Sequence, residues 1–166
     1  MAKGFSVQII SPGINPTKEL TMLKQKLTRI LNGLSLLQNL LEEEFACLQN
    51  QQMEKVTSLE DSIQTLLEQL EVEKRELRDM GIKHGYANLP SFYHYLHQDP
   101  ELKPILSQLV DKEKQVKKLS AKNQAFVLGL ANQVESLLKF LKENVQKLSQ
   151  NHTVYTRQGR LQGYSV

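Results

Sequence analysis

The chain contains few residues of the kinds that disulfide scaffolds and loop-rich folds depend on. Its 166 residues include no Trp, one Cys, eight Gly and five Pro. The single cysteine, Cys47, cannot form an intramolecular disulfide, so a scaffold held together by such bridges is excluded. Because helix breakers are scarce, long segments can remain helical. At 40% hydrophobic and 23% charged residues, the composition indicates one domain at most.

Charge and hydrophobic runs exclude further classes of protein. The net charge is only +3 and both signs are mixed along the chain, which argues against a nucleic-acid partner and against a membrane-surface stripe. No segment approaches the roughly 20 consecutive apolar residues that a membrane span needs. The N-terminus has neither a long apolar segment nor a small-residue cleavage site, so it is not expected to be a signal peptide. We therefore expect a cytoplasmic protein.

Three long segments carry apolar residues at alternating steps of three and four, the spacing that places them on one face of an α-helix. The first seam is Leu20, Leu23, Leu27, Ile30, Leu34, Leu37, Leu41, Phe45 and Leu48. The second is Val56, Leu59, Ile63, Leu66, Leu70, Leu77 and Met80. The third is Leu102, Leu106, Leu109, Val116, then after a polar interruption Phe126, Leu130, Val134, Leu137, Leu141 and Leu148. Chains of this kind pack long helices against one another.

The predicted fold is all-α, an elongated antiparallel bundle or coiled coil of three long helices over residues 17–50, 54–80 and 100–149. A short helix over about residues 91–97 is expected to cover the open end of the bundle. Residues 1–16 form a flexible N-terminal arm, residues 17–150 a single domain, and residues 151–166 a flexible tail. A bundle this thin has little room for a buried cleft, which argues against an enzyme.

Helix-end signals define these boundaries. Thr17 is the predicted N-cap of the first helix, and Asp99 with Pro100 the predicted start of the third. The loss of pattern after Asn50 predicts a bend or tight turn. Gly81 is the predicted left-handed residue that follows the second helix.

Several polar residues fall on or beside positions that the heptad pattern would bury: Glu73, Glu113, Ser120 and Asn123. Burying such a group without a partner is costly, so each is expected to be hydrogen-bonded or exposed. If the second and third helices are antiparallel, Glu73 lies level with the Lys112 region. We therefore expect an ion pair between Glu73 and Lys112.

The sequence contains no catalytic or cofactor-binding constellation. His94 and His97 would share one helix face, but no third ligand lies at metal-site spacing. The consecutive acids 42–44 fan around the helix and are interpreted as a solvated collar. The basic run over residues 112–122 is interpreted as an ordinary exposed helix surface rather than a phosphate-binding one. We expect no cofactor and no metal.

The second half of the third helix is apolar on more than one face, because Val127, Leu128, Ala131, Leu138 and Phe140 lie off the main seam. Such a helix needs two neighbours. Either it packs centrally in the bundle, or its end from about residue 133 to 148 extends past the other helices and exposes a groove for an amphipathic helix of another protein.

Three segments make the chain resemble the FlgN-type flagellar export chaperones. They are the Leu-rich stretch 36–44 (LLQNLLEEE), the helix end 74–82 (KRELRDMGI) and the tail 155–161 (YTRQGRL), which is similar to the Tyr-x-x-x-Gly-Arg tail of that family. The aromatic short helix and Asn123 in the middle of the third helix complete the resemblance, which covers the chain from Thr17 onward.

The resemblance implies a non-enzymatic cytoplasmic protein that binds the hook-filament junction proteins FlgK and FlgL before export. It would prevent their terminal helices from associating early and deliver them to the flagellar type III export gate. Client contacts would lie towards the C-terminus. The residues expected to bind the partner are Phe126, Leu130, Val134, Leu137, Leu138, Leu141, Val145, Leu148, Tyr155, Gly159 and Arg160.

Two other classes share part of this pattern. A generic coiled-coil adaptor or scaffold of a bacterial secretion or division system would have the same periodicity, without a use for the tail. A helical-bundle enzyme or metal protein is a more distant alternative. Self-association to a homodimer also stays open, because a groove without its client can accept the helix of a second copy.

Overall fold

A computed structural model describes residues 16–161 of the chain, with side chains from residue 17 to residue 150. Four helices make up this described part: α1 (Pro16–Gln49), α2 (Met53–Lys83), α3 (Leu89–Leu96) and α4 (Lys103–Leu161). The predicted all-α bundle, with three long helices and one short one, is confirmed. The chain divides into two units after Asn123, so α4 contributes to both. The predicted arm, residues 1–15, lies outside the described residues.

The first unit is an antiparallel hairpin of α1 and α2, with α3 and the first part of α4 packed against it. Contacts along the hairpin run in opposite directions on the two helices: Glu19 meets His84, Lys26 meets Glu73, and Gly33 lies against Leu70. The core is formed by the predicted seams, and Leu27, Ile30, Leu77, Leu106 and Leu109 are essentially inaccessible to solvent. Burial of these apolar side chains is the main force that holds the helices together.

The turn between α1 and α2 is tight, the second of the two possibilities predicted there. The amide of Gln52 donates to the carbonyl of Cys47 at 2.9 Å, and the amide of Gln51 donates to that of Leu48 at 3.2 Å. This pair of hydrogen bonds is a Schellman motif, in which the residue after the helix adopts a left-handed conformation. Gln51 occupies that position with φ 58°, where glycine is the usual residue.

The end of α2 differs from the prediction. Gly81 is not left-handed but lies inside the helix, which continues to Lys83. The left-handed residue is Gly85, with φ 89°, and the amides of Tyr86 and Gly85 close a second Schellman motif on the carbonyls of Gly81 and Ile82. Gly81 has a different role: a Cβ built on it would lie 3.0 Å from ring atoms of Phe92, so its missing side chain lets α3 pack closely on α2.

The short helix covers one end of the bundle, as expected. Asn88 caps it by accepting a hydrogen bond from the amide of Ser91 at 2.9 Å, and Pro90 lies in its first turn. Phe92 and Leu96 are fully buried. The helix begins at Leu89, two residues before the predicted start.

The remaining helix ends show smaller differences. α1 begins at Pro16, so Thr17, the predicted N-cap, lies within the first turn. Asp99 does cap the turn that leads into α4, because its carboxylate accepts from the amides of Glu101 and Leu102 at 2.8 and 3.4 Å. α4 itself begins at Lys103 and its backbone stays helical to Leu161, past the predicted end at residue 149.

The predicted pair between Glu73 and Lys112 is wrong. Glu73 faces α1, where Lys26 Nζ and Arg29 Nε each lie 3.1 Å from its carboxylate. Lys112 donates to the side-chain oxygen of Gln38. The expected bridge between α2 and α4 is made one residue further along, by Lys74 and Glu113 at 2.8 Å. One residue turns a helix by about 100°, so the two helices are level as predicted while Glu73 points elsewhere.

Candidate functional site

The part of α4 after Asn123 exposes large apolar side chains to solvent. Leu148 is 67% exposed and Leu141 48%, whereas Leu106 at the start of the same helix is 1% exposed. The exposed set is Val127, Leu128, Val134, Leu137, Leu138, Phe140, Leu141, Val145 and Leu148. We call these nine side chains the apolar face. Soluble proteins rarely leave so many large apolar groups together in water unless the surface binds something.

The apolar face is wider than one helical stripe. Val134, Leu137, Leu141 and Leu148 follow steps of three, four and seven, as a helix packed on one neighbour would show. Phe140 lies off that line, so the apolar sector extends further around the helix. A single partner helix covers one stripe, and a wider sector accommodates two or a groove between them.

The same segment carries charges that support a helix without help from packing. Glu135 precedes Lys139 by four residues, and Glu143 precedes Lys147 by four. Acid before base at this spacing favours an isolated helix by a few tenths of a kcal/mol per pair. The segment can therefore hold its apolar side chains in helical register while they remain uncovered.

The structure locates most of the predicted partner-binding residues. Val134, Leu137, Leu138, Leu141, Val145 and Leu148 are exposed on the described part of α4. Phe126 and Leu130 are half-buried. Tyr155, Gly159 and Arg160 lie on the helical backbone, but their side chains are outside the described residues. Partner binding by any of these residues stays a prediction.

The predicted set omitted three exposed residues, Val127, Leu128 and Phe140. The sequence did contain a signal for them, since they lie off the seam in a segment that is apolar on two faces. A selection centred on the seam left these three out, although it included Leu138, which is also off the seam.

A buried polar network lies at the end of the first unit. Asn123, 3% exposed, donates from Nδ2 to the carbonyl of Leu41 at 2.9 Å and to Glu44 Oε1 at 2.7 Å. Beside it, the ammonium of Lys122 lies 3.8 Å from the ring centroid of Phe45, a cation–π contact. The expectation of a solvated acidic collar is therefore wrong for Glu44, which is buried, although Glu42 and Glu43 are exposed.

A second candidate is a cavity of about 530 Å³ in the first unit, formed where α2, α3 and α4 meet. It is lined by Glu71, Lys74, Arg78, Leu89, Pro90, Tyr93, His94, His97, Leu106, Val110 and Glu113. Its charged groups form ion pairs with one another: Lys74 pairs with Glu113 at 2.8 Å, and Arg78 lies 3.7 Å from Glu71. The cavity therefore presents no unpaired charge of one sign to select a ligand.

The titratable groups around this cavity include a partly buried tyrosine and two histidines. Burial, reinforced by the negative charge of Glu113, raises the pKa of Tyr93, so its phenol stays protonated near neutral pH. His97 Nε2 lies 3.3 Å from the hydroxyl of Ser107. Within residues 17–150, no three His, Cys, Asp or Glu side chains are grouped closely enough to hold a metal ion.

Comparison with known families decides between the classes that the geometry leaves open. The family model described as FlgN protein matches residues 19–163 of the chain. The chain belongs to the FlgN family. This family consists of flagellar export chaperones, so the chain is a chaperone of flagellar protein export. No curated protein and no solved structure matches the chain.

The match includes both the bundle and the exposed part of α4, so the FlgN assignment applies to both units. Among the helices described for this chaperone, none is both long enough and apolar enough to cross a membrane.

Proposed function

We propose that this FlgN-family chaperone binds the terminal helical regions of the hook-filament junction proteins FlgK and FlgL in the cytoplasm. It keeps those regions from associating early and delivers them to the flagellar type III export gate. The observation that carries the proposal is the apolar face of α4, whose nine large side chains are 45–67% exposed.

The apolar face of α4 and the terminal helices of the client have complementary chemistry. Terminal helices that pair with one another only in an assembled structure expose apolar stripes before assembly. An amphipathic helix of this kind docks on an apolar helical surface through residues three and four positions apart. The apolar face offers side chains at that spacing, with Leu137 and Leu141 near its centre.

Release does not require a catalytic step. The contacts made by the apolar face are apolar, so their strength is set by the area covered. Competition by another helical surface, such as that of the export gate, can therefore displace the client without nucleotide hydrolysis.

The test is isothermal titration of the full chain with C-terminal segments of FlgK and FlgL. The paired substitution Leu137→Ser and Leu141→Ser should weaken binding at least about tenfold, because each large side chain contributes roughly 1.5–3 kcal/mol when fully buried. The matched control is Leu67→Ser with Val72→Ser on α2, two apolar residues that are 44% and 42% exposed. The control should retain the affinity of the wild type.

Failure of both client segments to bind the wild type would overturn the proposal and favour a general adaptor of a secretion or division system. A chain ending at residue 150 tests the tail separately. If residues Tyr155, Gly159 and Arg160 contact the client, the shortened chain binds more weakly than the full one.

In the absence of a client, the apolar face of one copy can cover that of another. We propose that the free chaperone forms a homodimer in this way. Light scattering should then show a dimer that becomes a one-to-one complex when the client segment is added. A client-bound species that keeps two chaperone copies would contradict the shared use of one surface.

A further inference from the structure

Four lysines lie on one side of α4 within the first unit: Lys114, Lys117, Lys118 and Lys122. We call them the lysine face. All four are exposed; Lys114, Lys118 and Lys122 follow one another at steps of four and Lys117 lies three residues after Lys114, which makes them neighbours on the helix surface. They are different residues from those of the apolar face.

These lysines are not neutralised by the chain itself. No ion pair joins any of them to a carboxylate among the described residues. On their own helix the nearest acids, Asp111 and Glu113, precede the lysines, and residues 114–134 contain neither Asp nor Glu. Lysines at a spacing of four without intervening acids repel one another and reduce helix stability slightly.

Three acids near the lysine face already have partners. Glu113 pairs with Lys74, and Glu44 accepts its hydrogen bond from Asn123. Glu42 accepts from the side chain of Gln38 at 3.0 Å. Three nearby acids thus have other partners, and Asp111, three residues before Lys114, is one acid against four lysines, so a positive surface remains.

We propose that the lysine face is a docking surface for an acidic helix of a partner protein. Carboxylates placed three and four residues apart on such a helix have the same spacing as the lysines. Opposite charges at this spacing steer the encounter and set the orientation of docking.

A protein partner fits this surface better than a nucleic acid or a membrane. The lysine face contains no Arg, the residue that binds phosphate with two parallel hydrogen bonds. Residues 114–125 contain no aromatic side chain, and the Lys122 ammonium lies 3.8 Å from the ring centroid of Phe45, so a base stacking there would have to displace that lysine. Asp111 and Glu113 precede the lysines, so a continuous phosphate backbone would meet negative charge at that end.

The test measures fluorescence anisotropy of a labelled synthetic peptide built from Glu and Ala, with Glu residues three and four apart. The full chain is titrated into it at low ionic strength, in parallel with a peptide that carries Gln for Glu. The Glu peptide should bind at least about tenfold more tightly, and its affinity should fall as salt is added.

Two triple variants with the same change in net charge identify the surface. Lys114→Gln, Lys118→Gln and Lys122→Gln together should weaken binding of the Glu peptide roughly tenfold. Lys18→Gln, Lys24→Gln and Lys55→Gln remove three exposed lysines elsewhere and should change it by less than about twofold.

The proposal is overturned if the Glu peptide does not bind, if the Gln peptide binds equally well, or if both triple variants lose affinity alike. It is also overturned if a single-stranded oligonucleotide, or a vesicle of phosphatidylserine and phosphatidylcholine, binds more tightly than the Glu peptide through the same three lysines. None of these results bears on the apolar face, whose test uses other residues and a client segment.

Discussion

The side-chain amide of Asn123 on α4 donates to the carboxylate of Glu44 on α1 at 2.7 Å, and both residues are more than nine-tenths buried. The same nitrogen donates to the carbonyl of Leu41. In an otherwise apolar interface, a polar contact of this kind penalises any shift of one helix along the other. It sets the register of α4 on α1 at the point where the first unit ends.

Asn123→Ala should lower the free energy of unfolding by about 2 kcal/mol, because it leaves the buried carboxylate of Glu44 without this donor. Urea unfolding followed by circular dichroism measures the change. Asn132→Ala is the control, since Asn132 is exposed on the same helix, and its effect should stay within about 0.5 kcal/mol. Equal effects of the two substitutions would contradict a register role for Asn123.

Gly81→Ala and Gly129→Ala should change stability in opposite directions although both glycines lie within helices. Alanine at position 81 would place its Cβ 3.0 Å from the buried ring of Phe92, and such overpacking costs roughly 1–3 kcal/mol. Nothing lies within 4 Å of a Cβ at position 129, so the better helix propensity of alanine is gained there, by up to about 1 kcal/mol. Thermal unfolding of both variants checks the signs. Stabilisation by Gly81→Ala would show that α3 is not held close to α2.

Substitutions at the left-handed residues of the two Schellman motifs should also change stability in opposite directions. Gly85→Ala should destabilise the chain by about 1 kcal/mol, because φ is 89° there and a Cβ disfavours that conformation. Gln51→Gly should raise the free energy of unfolding by up to about 1 kcal/mol, since it relieves the same penalty at φ 58°. Urea unfolding of the two variants measures both changes in stability. A loss of stability in Gln51→Gly would mean that the Gln51 side chain contributes contacts of its own.

Acid should weaken the bundle partly through Glu73. Burial alone raises the pKa of Glu73, but the hydrogen bonds and charges of Lys26 and Arg29 outweigh it and hold the pKa below its ordinary value of 4.5. A carboxylate with a lowered pKa adds stability above its unfolded-state pKa and loses it as the pH falls through the folded-state pKa. Glu73→Gln should therefore lose less stability than the wild type between about pH 5 and pH 3.

Urea unfolding across that pH range measures the effect. Glu60→Gln, at an exposed position of the same helix, should keep the pH dependence of the wild type. An unchanged pH dependence in Glu73→Gln would show that its ion pairs do not stabilise the folded chain.

Alkali should act through the tyrosines of the α3 region. Burial, with the negative charges of Tyr86 and Asp99, raises the pKa of Tyr95 to about 12 from its ordinary value of 10.0. A raised pKa adds stability below the unfolded-state value and loses it as the pH rises towards the folded-state value. Stability should therefore fall from about pH 10 upward, and Tyr95→Phe should reduce that fall. Phenolate absorbance is readable without interference because the chain has no Trp. Titration of all tyrosines at their ordinary pKa would contradict burial of this ring.

Some errors of sequence interpretation have a common physical cause. The glycine at position 81 is visible in the sequence, but not whether the chain uses its conformational freedom or its missing side chain. That choice depends on Phe92, which lies eleven residues away and meets Gly81 only after α3 folds back. Likewise, periodicity places Glu73 near a helix interface but does not say which neighbour it faces.

The sequence by itself determined the helices and their buried seams, because the step of three and four is a property of the chain and of helix geometry alone. It also marked the second half of α4 as apolar on two faces. Only the tertiary structure decided that this segment stays uncovered, that Glu44 is buried while Glu42 is not, and that Glu73 pairs with α1. Those outcomes depend on which surfaces remain exposed after the helices have packed. Packing brings residues that are far apart in the sequence into contact, and the periodicity of one helix does not specify its neighbours.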